Sequence, residues 1–371
     1  MSLSKELHGL CYDETGGHGG NLKEASKRSG YPERDILDFS SNVNPLGPPP
    51  GLLPILRREL NKIKDYPEPQ ASGFSNYLAS SFNLPEERLL PGNGANDLLH
   101  LFVLWLRPKR VVVPVPSFAE YHRAARLAES DLFYYSLPPG QELNSSDLGD
   151  ELREGDLVVF CNPNNPTGKL FPREEVVELV QRAEKQGATI LLDESFMPLS
   201  GSSQEESLQN LNYSNLWVLV SLTKVWALPG LRLGYLVGPP PEINLLKGFG
   251  DPWRVNALSQ KAGIYCLDVH ADYLKKTLRL IEKERNYLHR ALQKTEKFRV
   301  YESMVNFLLV EGKEHDFDAS HLQEYLVKQG VLIRNASNFG WLDSRHWRIA
   351  VKSRKQNRKL IQAVLDYIKH Y

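Results

Sequence analysis

The chain is short of cysteine, of net charge and of long apolar runs, and each shortage argues against a class of function. Three cysteines occur among 371 residues, Cys11, Cys161 and Cys266, far apart and in no paired spacing. That usage fits reduced thiols, with Cys161 in the core, and argues against a disulfide framework or a metal knuckle, so no metal site is expected. Lysine plus arginine and aspartate plus glutamate number 45 each, giving zero formal charge, and the basic residues are scattered. Nucleic acid and membrane surfaces are therefore not expected partners. No stretch approaches the ~18 uninterrupted apolar residues of a membrane span, and residues 1–8 lack the apolar core of a signal peptide. A cytoplasmic location is expected.

What is present is an ordinary 41% of hydrophobic residues in a chain longer than one core usually supports, so two packed domains are expected. Short β-branched runs at 111–115, 157–161, 189–192, 217–221 and 233–237 recur between helical patterns such as 172–186. The alternation predicts an α/β fold with a largely parallel sheet wrapped by helices. Pro239-Pro240-Pro241 and the stretch to Pro252 break this rhythm. Beyond it, 255–294 reads as helix, 298–310, 330–334 and 347–351 as strands, and 319–328 and 355–368 as helices. The expected division is an N-terminal arm, 1–50, a large domain, 51–252, and a smaller α+β domain, 253–371.

Chemistry concentrates around Lys224. Ser221-Leu222-Thr223-Lys224 is followed by Arg232, so two hydroxyls and a guanidinium stand ready to grip a phosphate while one amine attacks a carbonyl on the same molecule. Pyridoxal phosphate meets both demands. Gly92-Asn93-Gly94-Ala95-Asn96 precedes an apolar helix and offers backbone N–H groups to an anion, although a Gly-x-Gly turn is equally a plain loop. Asn165, in Asn162-Pro163-Asn164-Asn165-Pro166-Thr167-Gly168, follows a strand, where its amide can donate to a phenolate oxygen or merely cap a turn. Asp193 ends the run Ile190-Leu191-Leu192, where a carboxylate can face a pyridine nitrogen and keep it protonated. Phe118 is either a ring stacked on the cofactor face or simply core.

Asn93-Gly94-Ala95, Asn164 to Gly168, Asp193-Glu194-Ser195-Phe196 and Ser221-x-Thr223-Lys224 through Arg232 together resemble, in order and spacing, the fold-type I pyridoxal phosphate enzymes of the class I/II aminotransferase group. The resemblance implies a large domain with a mostly parallel seven-stranded sheet and a smaller α+β C-terminal domain. It implies that Lys224 carries the cofactor covalently, that Asp193 pairs with its ring nitrogen and that Asn165 bonds its phenolate oxygen. Gly94, Ala95, Asn96, Ser221, Thr223 and Arg232 would surround the phosphate, with Phe118 on the ring. Tyr66, in Asp65-Tyr66-Pro67, is similar to the family tyrosine that reaches the phosphate of a neighbouring subunit, which implies a homodimer with shared active sites. Many relatives have tyrosine where this chain has Phe196, so one hydroxyl bond to the phenolate is missing.

The ends of the chain resemble the threonine-phosphate decarboxylase branch of that group, which serves cobalamin biosynthesis. The residues are Gly16-Gly17-His18-Gly19-Gly20-Asn21, Asp38-Phe39-Ser40-Ser41-Asn42-Val43-Asn44-Pro45, Arg334 to Phe339 and Trp347-Arg348-Ile349. Asn335-Ala336 stand where that branch is expected to have Asp-Cys. A substrate with a carboxylate and a phosphate needs two cationic anchors. Arg348 is expected at the carboxylate, Arg334 with His18 and Asn21 at the phosphate, and Asn44 and Asn165 beside them. The histidinol-phosphate aminotransferases, which share every cofactor residue, are the alternative branch. A non-enzymatic regulator retaining the fold for ligand sensing is the alternative of a different class, and no DNA-binding segment is visible in support of it.

Overall fold

A computed structural model describes residues 19–370, apart from the side chains of Ser203 and Gln204. It begins with α1 (Leu22–Ser29), β1 (Leu37–Asp38), α2 (Leu52–Glu59) and α3 (Ser72–Phe82). Strands and helices then alternate: β2 (Leu89–Gly92), α4 (Ala95–Leu106), β3 (Arg110–Val115), α5 (Ala119–Leu127), β4 (Asp131–Ser136) and α6 (Ser145–Asp150). The alternation continues through β5 (Asp156–Cys161), α7 (Arg173–Lys185), β6 (Thr189–Asp193), α8 (Ser203–Glu206), β7 (Leu216–Ser221), α9 (Leu222–Val225) and β8 (Gly234–Val237). These strands form one seven-stranded sheet in the order β2-β8-β7-β6-β5-β3-β4. All neighbours run parallel except β8, which is antiparallel to β7 and β2.

The central strands read as continuous apolar runs because both faces of the sheet are covered. Strand alternation sends Val112, Val158, Phe160, Ile190, Leu192, Val218 and Val220 to one face, against Val176, Leu179 and Val180 of α7. Val111, Val113, Val159, Leu191, Trp217 and Leu219 go to the other, against Leu98 and Phe102 of α4 and Tyr121 and Ala124 of α5. Each fully buried side chain of this size contributes roughly 1.5–3 kcal/mol relative to exposure, and together they hold the sheet's strand ends as a fixed platform.

After β8 come α10 (Pro240–Phe249), α11 (Ala257–Asp268) and α12 (His270–Gln293), so the helical stretch expected at 255–294 is two helices parted at Val269. Ala262, Cys266 and Leu267 of α11 and Tyr273 and Ile281 of α12 still belong to the core beneath the large sheet. Leu288 and Leu292, later in α12, belong to the core of the smaller sheet. The remaining elements are β9 (Phe298–Val300), β10 (Phe307–Gly312), α13 (Ala319–Val327), β11 (Val331–Leu332), β12 (Arg334–Asn335), β13 (His346–Ala350) and α14 (Arg354–His370). A four-stranded sheet, β12-β13-β10-β9, packs on α13 and α14. The N-terminal segment joins this part: β1 pairs in parallel with β11, and Phe39 lies in the small-sheet core.

Candidate active site

Parallel strands end together, and the residues at their carboxyl ends open into one cavity of about 340 Å³. Cys161 closes β5, Asp193 closes β6 in register with it, and Ser221 closes β7; all three line the cavity. Lys224 follows on the short helix α9 and reaches the same space. Burial, with Arg348 and Arg232 nearby, lowers its amine pKa to about 8, so a neutral nucleophile is available near physiological pH.

One end of the cavity is built to hold a phosphate. Gly94, at φ 88°, precedes α4, whose first turn carries N–H groups without helix partners and puts Ala95 and Asn96 on the cavity wall. Arg232 adopts the left-handed region at φ 59°, and a Cβ at position 94 would lie 2.6 Å from its Nη2, so glycine there is what lets the guanidinium approach. The Ser221 and Thr223 hydroxyls lie 2.8 Å apart on the same wall. Asn96 also lines it, but its Nδ2 donates to Glu120 Oε2 at 3.1 Å, leaving its backbone N–H for an anion.

Asp193, at the tip of β6, lines the same cavity. Its Oδ1 accepts the Ser195 N–H at 2.8 Å and its Oδ2 accepts the Tyr121 hydroxyl at 2.6 Å. Burial pushes its pKa up and these donors pull it back. Phe118 lines the cavity at the start of α5, edge-on to Tyr121 at 5.7 Å. Phe196 lines it too, edge-on to Phe307 of β10 at 5.0 Å.

The small-domain side brings two arginines. Arg348, on β13, is buried and donates through Nη1 to Asn165 Oδ1 and through Nη2 to the Ser40 carbonyl at 3.0 Å. Arg334, on β12, donates to Asn338 Oδ1 at 2.7 Å. These named partners are neutral, and burial lowers the pKa values to about 9 for Arg348 and about 10 for Arg334. With its Oδ1 turned to Arg348, Asn165 has its Nδ2 free to donate.

Several expected positions lie elsewhere. Asn44 was expected at the substrate, but its Nδ2 donates to the Val225 carbonyl at 2.7 Å and Thr277 Oγ1 at 2.8 Å, tying α9 to α12. Asn21 was expected at the phosphate, but its Oδ1 accepts the Glu24 N–H and caps α1. Tyr66 is 82% exposed, outside this chain's own cavity, with its ring 4.8 Å from that of Trp253. His18 lies outside the described residues. Asn335 donates to Ser320 Oγ, and Ala336 is buried behind the cavity wall, so both departures sit behind Arg334, Asn338 and Phe339. Sequence reasoning missed Tyr121, whose only signal was its place three residues after Phe118. It also missed the cavity wall made by Ser40, Ser41 and Asn42.

A family model for aminotransferase class I and II matches residues 34–364. The chain belongs to that family. Threonine-phosphate decarboxylase of Salmonella typhimurium is 33% identical over 357 residues, covering 95% of this chain and 96% of that one. Among solved structures, L-threonine-O-3-phosphate decarboxylase from Porphyromonas gingivalis superposes with a TM-score of 0.80 at 29% identity, covering 90% of this chain and all of that one. Histidinol-phosphate aminotransferase from Clostridium acetobutylicum gives 0.84 at 29% identity, with 91% and 100% covered. The fold is thus fold-type I, and the cofactor is pyridoxal phosphate. The residues present fit it: the Gly94 cradle facing Arg232, a low-pKa lysine amine and a buried carboxylate answer phosphate, aldehyde and ring nitrogen respectively.

Proposed function

We propose that this enzyme decarboxylates L-threonine O-3-phosphate to (R)-1-amino-2-propanol O-2-phosphate and carbon dioxide, in the cytoplasm and in the service of cobalamin biosynthesis. The observation that carries the reading is the pair Arg348 and Arg334, two cations hydrogen-bonded to neutral groups on the cavity wall contributed by the small sheet. A substrate with one carboxylate and one phosphate matches two such anchors. The named relatives of Salmonella typhimurium and Porphyromonas gingivalis support the same choice.

Pyridoxal phosphate, when bound, supplies an electron-withdrawing ring that stabilises negative charge on the carbon beside the substrate amine. Asp193 would face the ring nitrogen and hold its proton there, and Tyr121 keeps that carboxylate in place. Arg348 binds the substrate carboxylate and Arg334 with Asn338 the substrate phosphate, and together they fix the torsion about Cα that selects which bond breaks. Lys224, protonated once its amine is free of the cofactor, would return a proton to Cα.

We also infer a homodimer. Tyr66 and Trp253 are exposed with their rings 4.8 Å apart, and the neighbouring segments are tied by the Gln70 N–H on the Pro252 carbonyl. Tyr66→Phe is expected to weaken cofactor retention; unchanged affinity removes the shared-site claim.

Purified enzyme given L-threonine O-3-phosphate with no 2-oxo acid tests the reaction. Sustained carbon dioxide release over many turnovers supports decarboxylation. Absence of release, with histidinol phosphate and 2-oxoglutarate consumed instead, moves the chain to the aminotransferase branch, which the Clostridium acetobutylicum structure keeps in view.

A further inference from the structure

Arg348 is buried, and its two amino groups are held by neutral oxygens, Asn165 Oδ1 and the Ser40 carbonyl. The nearby negative charge that favours its ionised form is Asp38, which also acts on Lys224 and Lys352. Asp38 does not bond Arg348 directly. Its Oδ1 accepts the Ser40 N–H at 2.8 Å, the Ser40 hydroxyl at 2.6 Å and the Ser41 N–H at 3.3 Å, while its Oδ2 accepts the Ser41 hydroxyl. One carboxylate thus shapes the turn that presents the Ser40 carbonyl to Arg348.

The turn is fixed from its other sides as well. The Ser40 hydroxyl accepts the Gly20 N–H at 2.7 Å. A Cβ on Gly19 would lie 2.2 Å from the Ser40 carbonyl oxygen, so the bare backbone there packs directly on the turn and lines the cavity. Phe39 donates its N–H to Leu332 and accepts from the Ala350 N–H, locking the segment between β11 and the end of β13.

We propose that Asp38 is a positioning residue: it orients Arg348 through the Ser40 carbonyl and balances its charge while leaving the guanidinium unpaired for the substrate carboxylate. A direct Asp38–Arg348 ion pair would occupy the fork that the substrate needs. A neutral turn with no carboxylate behind it would leave a buried cation uncompensated. Asp38 sits one group removed from Arg348 and avoids both faults.

The inference rests on the proposed substrate, and one set of titrations separates the two. Binding to the holoenzyme is followed by cofactor absorbance on rapid mixing, before turnover, using L-threonine O-3-phosphate and the carboxylate-free 1-amino-2-propanol O-2-phosphate. Failure of the wild type to bind threonine phosphate refutes the substrate reading, independently of Asp38. Given wild-type binding, Asp38→Asn is expected to weaken threonine phosphate about tenfold, the worth of one charge-assisted contact, with little change for the carboxylate-free compound and none in cofactor retention. Equal losses for both ligands, no loss for either, or cofactor loss overturns the proposal. Where Asp38→Asn does not fold, Ser41→Ala, which removes one hydrogen bond to Asp38, carries the same test: the same selectivity, smaller in size, supports it and its absence refutes it.

Discussion

The two ends of the cavity are assembled differently. The cofactor end is made by residues at the tips of neighbouring strands and the first turn of α4: Gly94, Asp193, Ser221, Thr223 and Lys224 each sit at a chain position that the local fold places at the sheet's carboxyl edge. The substrate end is made by Ser40, Arg334, Asn338 and Arg348, brought together by the pairing of β1 with β11 and of β12 with β13. The first end depends on motif and the second on register, so damage to each should have a different signature.

Lys224→Ala tests the first end with the largest effect. Turnover is expected to fall by on the order of 10⁴-fold or more, and borohydride should no longer fix cofactor to the protein. Full labelling in that variant would move the attachment to another lysine. Arg348→Lys tests the second end: KM for threonine phosphate should rise by roughly 100-fold, because a point charge replaces a planar fork, while cofactor retention is unchanged. Cofactor loss in that variant would erase the distinction between the two ends.

Acidity sharpens the comparison further. Only the neutral Lys224 amine attacks an aldehyde, so capture of pyridoxal phosphate by apoprotein should accelerate as pH rises, with a midpoint near 8. Because the fold lowers this pKa from 10.5, the unfolded chain binds the proton that the folded chain has released. Apoprotein stability should therefore rise from about pH 8 toward the ordinary lysine range, as thermal melting across pH would show. The smallest effect is expected for Tyr121→Phe. Losing its hydroxyl donor raises the Asp193 pKa further, so the pH dependence of cofactor absorbance should shift while substrate affinity stays within a few-fold.

Most of the cofactor end was legible in the sequence, for a physical reason. A parallel strand buried on both faces is a visible apolar run, and the residue that ends it is placed by the sheet itself, as with Asp193 and Ser221. The substrate end was legible in part. Arg334 and Arg348 were identified by resemblance and by the two anionic groups of the expected substrate, but two-residue strands such as β1 and β12 carry no periodic signal, so the wall formed by Ser40, Ser41 and Asn42 was not foreseen. Asn44 and Asn21 make backbone contacts that the sequence did not reveal, because an asparagine that clamps or caps backbone looks the same in sequence as one that faces a ligand. The edge strands β2 and β4 were not among the apolar runs singled out, since β4 is only partly buried and β2 is four residues long.

The pairing of Leu37–Asp38 with Val331–Leu332 joins segments separated by nearly the whole length of the chain. During synthesis at roughly 5–20 residues per second, the first of these waits on the order of tens of seconds for the second to be made. By then every strand of the large sheet has left the ribosome. A nascent chain halted before β11 would carry the elements of its cofactor end and lack both substrate arginines, Arg334 and Arg348, so a stalled or truncated product would sequester cofactor without turning over.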